Sequence, residues 1–358
     1  MELFWYVVVI SMLTIYMLLD GYDFGAGIVH LFFAKKEEDK KAITKAIGPF
    51  WDANEVWLIA GGGVLFFAFP VLYASSFSGF YLPLIMILWL LMFRGIGLEL
   101  RGLIKHSMWY AIWDKAFGIA SLLLALFFGI AVGNIVRGVN MGHVVNGVST
   151  YEPHYFVLPL WNPTLNPLAE SLGVIDWFTL LIGLIGVVAL TIHGANWIIY
   201  KTNSTINEQL KRIVFRLTIV LTVLALVSLS SWFLVIPHLF ENYFAHPIFW
   251  IFPLISLTGL IGLFRIKTFK KDGTGFVFSS LFLAGGLAST ALSIFPNFLP
   301  STNTINPSLS IYNAAAAHYG LSVGLIWFPI GVVFIALYFI LQYRIFKGKM
   351  DDGDYGEH

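Results

Sequence analysis

The chain has 358 residues, of which 58% are hydrophobic and only 11% charged, with a net charge of +1 and no cysteine. Soluble domains carry about 25% charged residues, so a water-facing surface cannot be covered, and the length reads as one membrane bundle in place of two or three soluble domains. The charge balance gives no nucleic-acid signal, and the lack of cysteine excludes disulfides, thiolate metal sites and cysteine nucleophiles.

The N-terminus reads Met1-Glu2-Leu3, with no basic leader and no small-residue cleavage site, so the first apolar stretch is expected to be a retained span. Apolar blocks of the length needed to cross a hydrocarbon core fall at 4–33, 55–73, 80–100, 112–136, 174–200, 213–236, 248–265, 276–296 and 317–344. They predict an all-α polytopic membrane protein of about nine transmembrane helices. The loops at 35–50, 101–115, 201–216 and 265–271, with the tail at 344–349, hold 19 of the 21 lysines and arginines. They alternate strictly with loops at 74–79, 137–173, 237–247 and 297–316, which hold only Arg137. By the positive-inside rule the N-terminus is expected outside and the C-terminus in the cytoplasm. The chain then divides into a first four-helix bundle (1–136), an external loop (137–173), a second four-helix bundle (174–296), an external loop (297–316), a ninth helix (317–346) and a cytoplasmic tail (347–358). Both long external loops have the Asn and Pro content of ordered turns, whereas the acidic tail from Asp351 is expected to be disordered. The two bundles are read as parallel repeats of four helices, with Asp20 in the first span matching His193 in the fifth.

Ionisable groups inside spans are costly and are functional candidates by default. Asp20 lies near the middle of the first span, and Asp23 follows on the same face. Gly21, Gly25 and Gly27 would let a neighbouring helix approach. Proton or ion handling is one reading of this pair; an inert buried pair or a kink cap is the other. Gly48-Pro49 marks the next helix start, with Asp52 and Glu55 in its first turn. Asp52 divides between dipole capping and a proton-entry role, and Glu55 is read as a dipole cap. In the third span Arg101 is expected to be an interfacial anchor. Arg94, two turns deeper, needs a counter-charge, for which Asp20 or Asp52 is the candidate. His193, Asn196 and Glu99 are assigned to a polar inner cavity. Of nine histidines only His30 and His193 lie well within spans, and no facing pair suggests itself, so no haem is expected on this chain. Gly61-Gly62-Gly63 lacks a following Lys-Ser/Thr and is read as helix packing, not a phosphate loop.

Leu-Asp-Gly-Tyr-Asp-Phe-Gly-Ala-Gly (19–27), Trp-Asp-Ala-Asn-Glu-Val-Trp-Leu (51–58) and Phe-Arg-Gly-Ile-Gly-Leu-Glu-Leu-Arg (93–101) resemble the markers of subunit II of cytochrome bd-type quinol oxidases. Thr-Ile-His-Gly-Ala (191–195), Phe-Pro-Asn-Phe-Leu-Pro-Ser (295–301) and Ile-Tyr-Asn-Ala-Ala (311–315) fit as well, so the resemblance covers almost the whole chain. Ala314 to Ala317 depart from a more Ser-rich family pattern. The resemblance implies a non-haem subunit paired with a haem-bearing subunit I in a bacterial plasma membrane. The complex would oxidise quinol and reduce dioxygen to water, drawing protons from the cytoplasm. The b-type haems, haem d and the quinol loop would belong to subunit I, with a structural quinone or lipid in subunit II and small single-span subunits in some complexes. The resemblance assigns scaffolding and, in some members, a proton route to this subunit. A secondary transporter with a midplane carboxylate is the rival reading, and an inert structural subunit a third.

Overall fold

A computed structural model describes residues 1–350, the side chains of residues 237 and 238 excepted. The acidic tail from Asp351 lies outside the described residues. Helices α1 (Glu2–Phe32), α5 (Tyr81–Arg101), α6 (Ser107–Arg137), α7 (Trp177–Lys201), α8 (Ile206–Val235), α11 (Gly273–Ile294) and α12 (His318–Ile345) are each long and apolar enough to cross a membrane. The labels between them are α2 (Glu37–Ile47), α3 (Trp51–Ala68), α4 (Pro70–Gly79), α9 (Glu241–Ala245) and α10 (Ile251–Leu263). Every predicted span is thus occupied by helix, but two depart from the expected form.

The second span breaks. Pro70 has no N–H to continue the ladder and its ring crowds the preceding turn, so α3 stops at Ala68 and α4 leaves at 119°. The seventh is short, a 3-10 turn at Pro247–Trp250 leading into α10. The loop at 35–50 also contains a helix that hydropathy does not show. α2 opens on Glu37, Glu38 and Asp39, which complement the positive end of the helix dipole, and buries Ile43, Ala46 and Ile47.

α1 lies at the centre, packed against α3, α6, α7 and α11. Every residue from Asp20 to His30 is buried, on all faces of the helix. That is why its acids meet protein and not lipid. The tightest crossing is with α7. A Cβ on Gly25 would stand 2.7 Å from the Gly194 nitrogen and 2.8 Å from its Cα, so the two backbones touch where only glycine fits.

The basic loops gather at one end. Lys40 reaches Asp114 (2.7 Å), Arg101 reaches Glu37 (2.7 Å), Ser204 reaches Asp39 (3.0 Å) and Gln342 reaches the Pro49 carbonyl (2.6 Å). At the opposite end the two Asn- and Pro-rich loops dock on each other. Val139 pairs with Pro300 and Thr302 through its backbone (3.0 and 2.9 Å), and Asn303 donates to the Asn140 side chain and the Met141 carbonyl, both at 2.8 Å. Arg137 is buried there too, bound to Asp176, to the Gly173 carbonyl (3.0 Å) and to Asn134 (2.7 Å). Asp176 in turn caps α7 through Phe178 and Thr179.

A buried carboxylate and guanidinium cluster

Arg94 is the hub of the interior. It sits two turns inside Arg101 on α5, is 1% exposed, and points at α1 and α3. Its Nη1 donates to Asp20 Oδ1 and its Nη2 to Glu55 Oε1. The guanidinium carbon lies 4.9 Å from the Phe24 ring centre and 5.8 Å from that of Trp51, so its faces are covered by aromatic carbon. One planar cation therefore ties three helices together through two carboxylates, which the fork of donors on arginine suits and a lysine ammonium does not.

Asp23 is held differently. One of its oxygens accepts from the Asn54 amide at 2.8 Å, and that amide also approaches the Tyr22 hydroxyl (2.8 Å) and the Leu19 carbonyl (3.3 Å). Tyr22 is fixed by stacking on Trp197, 4.1 Å between centres, with its hydroxyl 3.4 Å from that of Tyr343. Four buried oxygens in this region have no hydrogen-bond partner among the described residues: Asp20 Oδ2, Asp23 Oδ1, Asn54 Oδ1 and the Tyr16 hydroxyl. The cluster is graded in access. Asp20 is fully buried, whereas the Glu55 side chain is 27% exposed, and Asp52, three residues before Glu55, is exposed at the basic end.

Of the residues marked from sequence, the structure brings Asp20, Asp23 and Arg94 together. Asp52 stands outside the ion pairs, and Glu55 takes the position beside Arg94. Glu99 accepts from Trp51 Nε1 at 3.2 Å and so supports the ring beneath Arg94. His193 and Asn196 lie apart from Glu99, on α7 against α11. His193 has Ser279 Oγ 2.8 Å from Nδ1 and the Leu18 carbonyl 2.9 Å from Nε2, and stacks on Phe276 at 4.7 Å. Nε2–H donates to the carbonyl and Nδ1 accepts from the serine, which leaves neither nitrogen for a haem iron. Asn196 is buried with its amide unpartnered.

Sequence reasoning passed over Asn54 and Asp114. Asn54 carries a signal, a neutral amide in a largely apolar helix, two residues past Asp52. Asp114 lies at the boundary of a predicted loop and span. It accepts from Arg101 Nε (2.5 Å) and Lys40 (2.7 Å) and faces His30 Nε2 at 3.3 Å. Arg101, expected as an interfacial anchor, is thus the centre of a second, more peripheral ion-pair group joining α2, α5 and α6.

The sequence profile of the cytochrome bd terminal oxidase subunit II family matches residues 1–346. A Haemophilus influenzae protein described as a probable cytochrome oxidase subunit 2 is 31% identical over 97% of this chain and 94% of its own length. Cytochrome bd-I ubiquinol oxidase subunit 2 of Escherichia coli is 28% identical over 93% and 90%, and cytochrome bd ubiquinol oxidase subunit 2 of Bacillus subtilis 27% identical over 89% and 88%. Among solved structures, a chain of the bd oxidase from Geobacillus thermodenitrificans shares the fold, with a TM-score of 0.56 at 12% identity over 96% of this chain and 98% of that one.

Proposed function

The chain belongs to the cytochrome bd terminal oxidase subunit II family, and we propose that it serves the oxidase as the non-haem scaffold of a haem-bearing subunit I and as a conduit for protons drawn from the cytoplasm. It is a component of a quinol:oxygen oxidoreductase, embedded in a bacterial membrane and acting in respiratory electron transport. The transporter reading gives way to this membership. In the proposal the b-type haems and haem d sit on the partner, which the committed nitrogens of His193 favour. Orientation follows from the basic loops: the end that carries Lys40, Arg101 and Lys201 faces the cytoplasm, with the N-terminus outside.

One observation carries the proton route. Arg94 binds a carboxylate that reaches solvent, Glu55, and one that does not, Asp20. Acids placed in that order, with Asp52 outermost, give a proton successive sites from the cytoplasmic end to the interior. Arg94 holds the two inner carboxylates in position between transfers. Scaffold alone would not need the exposed member.

A second feature suits a structural lipid or quinone tail. A cavity of about 340 Å³ lies between the outer halves of α1, α5, α6 and α11, lined by apolar residues such as Leu13, Met17, Leu84, Ile87 and Phe127. Apolar walls with few polar groups suit a hydrocarbon chain. Small single-span subunits would bind elsewhere on the lipid-facing surface.

Asp20→Asn tests the route, because it keeps shape and hydrogen bonding while removing the exchangeable charge. Oxygen consumption by the assembled complex should fall severalfold with haem content unchanged. Unaltered turnover would refute the relay, and joint loss of haem and turnover would make Asp20 a structural counter-ion.

A further inference from the structure

The inner cluster does not balance its charge. Arg94 is the one cation bonded to it among the described residues, and it faces Asp20, Asp23 and Glu55. Glu55 keeps partial access to solvent, so its charge can be hydrated. Asp20 takes the guanidinium. Asp23 is left 1% exposed with no cation bound to it, held only by the neutral amide of Asn54 at 2.8 Å. An ionised carboxylate in that position lacks both water and a counter-charge, the combination that buried groups avoid by becoming neutral.

Hydrogen-bond geometry makes the same point independently. Asp20 Oδ2 and Asp23 Oδ1 are both buried and both without a donor. The two residues are three apart on one face of α1, both buried, which places their carboxyls as neighbours across one turn. Two ionised carboxylates there would offer four acceptor oxygens and repel each other. A single proton on one of them creates the missing donor and removes the repulsion. Among the described residues, the elements around the pair bring no second positive charge to it. α1 offers only the Tyr16 and Tyr22 hydroxyls and α3 only Asn54 beside Glu55. α5 offers Arg94, already shared, and α12 the Tyr343 hydroxyl, which meets Tyr22. On α7 His193 spends both nitrogens on Ser279 and Leu18. The second ion-pair group is two turns further along α1, where Lys40 and Arg101 are taken by Asp114 and Glu37.

We propose that Asp20 and Asp23 hold one proton between them at rest, an acid–carboxylate pair with Asp23 as the acid, so that the centre of this subunit is a loaded proton site and not only a wire. It deepens the proton-route reading and rests on it for the use of the proton, though not for its presence. A loaded pair releases a proton from Asp23 toward the interior and is refilled from the Glu55 side. In the resting pair Arg94 keeps Asp20 ionised, as the acceptor of the Asp23 O–H. No bond to carbon forms or breaks: the Asp23 O–H breaks as its proton passes to Asp20, and an Asp23 O–H forms again when a proton arrives from the Glu55 side.

The experiment is infrared spectroscopy of the assembled oxidase in water and in deuterium oxide. A protonated carboxyl has a carbonyl stretch separate from the carboxylate bands and sensitive to deuteration. The expected result is such a band at neutral pH, lost in Asp23→Asn and kept in Asp52→Asn. Should Asp23→Asn fail to assemble, Asn54→Ala supplies the second reading, since loss of its hydrogen bond shifts the band if Asp23 carries the proton. Absence of the band, or a band indifferent to both changes at Asp23 and Asn54, overturns the proposal. So does replacement of the proton by a cation, seen as a band that disappears when sodium chloride is substituted for choline chloride. A band that behaves as expected in a complex whose turnover survives Asp20→Asn supports the loaded pair while refuting the relay, which separates the two failures.

Discussion

Replacing Arg94 by leucine removes the only guanidinium bonded to the inner cluster among the described residues and leaves Asp20 fully buried without its cation. Removing one member of a buried pair costs about 3–5 kcal/mol, because the remaining charge is stranded. Glu55 adds little to that figure, since with 27% of its side chain exposed it can turn to water. Arg94→Lys should recover only part, as an ammonium cannot bridge two carboxylates on separate helices in the manner of a planar fork. The decisive comparison is Arg94→Leu combined with Asp20→Asn. With both charges gone, most of the lost stability should return, giving a coupling of more than about 1 kcal/mol between positions that touch. Thermal unfolding of the detergent-solubilised complex, followed by size-exclusion recovery after heating, reads the parent, Arg94→Leu, Arg94→Lys, Asp20→Asn and the double substitution on one scale. If Arg94→Leu is as stable as the parent, or if the two substitutions simply add, the ion pair does not hold the bundle as described.

Two further outcomes are expected. Gly25→Ala drives a methyl into the Leu190 carbonyl oxygen and to 2.7 Å from the Gly194 nitrogen and should cost about 1–3 kcal/mol or more as α1 and α7 are forced apart, whereas Gly63→Ala meets nothing within 4 Å and should be silent in the same heating assay. Single cysteines at the exposed positions Ser78 and Asn203 should be labelled from the outer side and from the cytoplasmic side respectively, and the reverse pattern would overturn the orientation.

The helices were legible because the bilayer makes hydropathy a direct record of burial in lipid, and all nine predicted segments carry helix. The approach of Asp20 to Arg94 was legible for a related reason: a deep charge requires a partner, and few candidates exist at that depth. Their depth along the chain is a matter of counting residues at 1.5 Å each. The amphipathic α2 was invisible to the same method because half of its surface is polar and its burial is against protein. Pro70 could be read as a helix breaker, but the angle it produces is decided by what α4 packs against.

The choice of Glu55 over Asp52 as the second ligand of Arg94 turns on rotation, not depth. The two acids are three residues apart on α3, so their side chains differ by about 60° around the helix axis. Either could face α5 if α3 turned slightly. What fixes the angle is Asn54, which must point at Asp23, Tyr22 and the Leu19 carbonyl, and Phe50, which is fully buried against Trp197 and Tyr343. With those two residues facing inward, Glu55 falls toward Arg94 and Asp52 toward solvent. The constraint on Asn54 comes from α1 and that on Phe50 from α7 and α12, the latter more than a hundred residues away in sequence, and no local pattern contains either. In the proposed route the same two residues therefore set which acid would be the outer receiver of a proton and which the inner one. A change at Asn54 or Phe50 should alter the order of the path without touching any ionisable group.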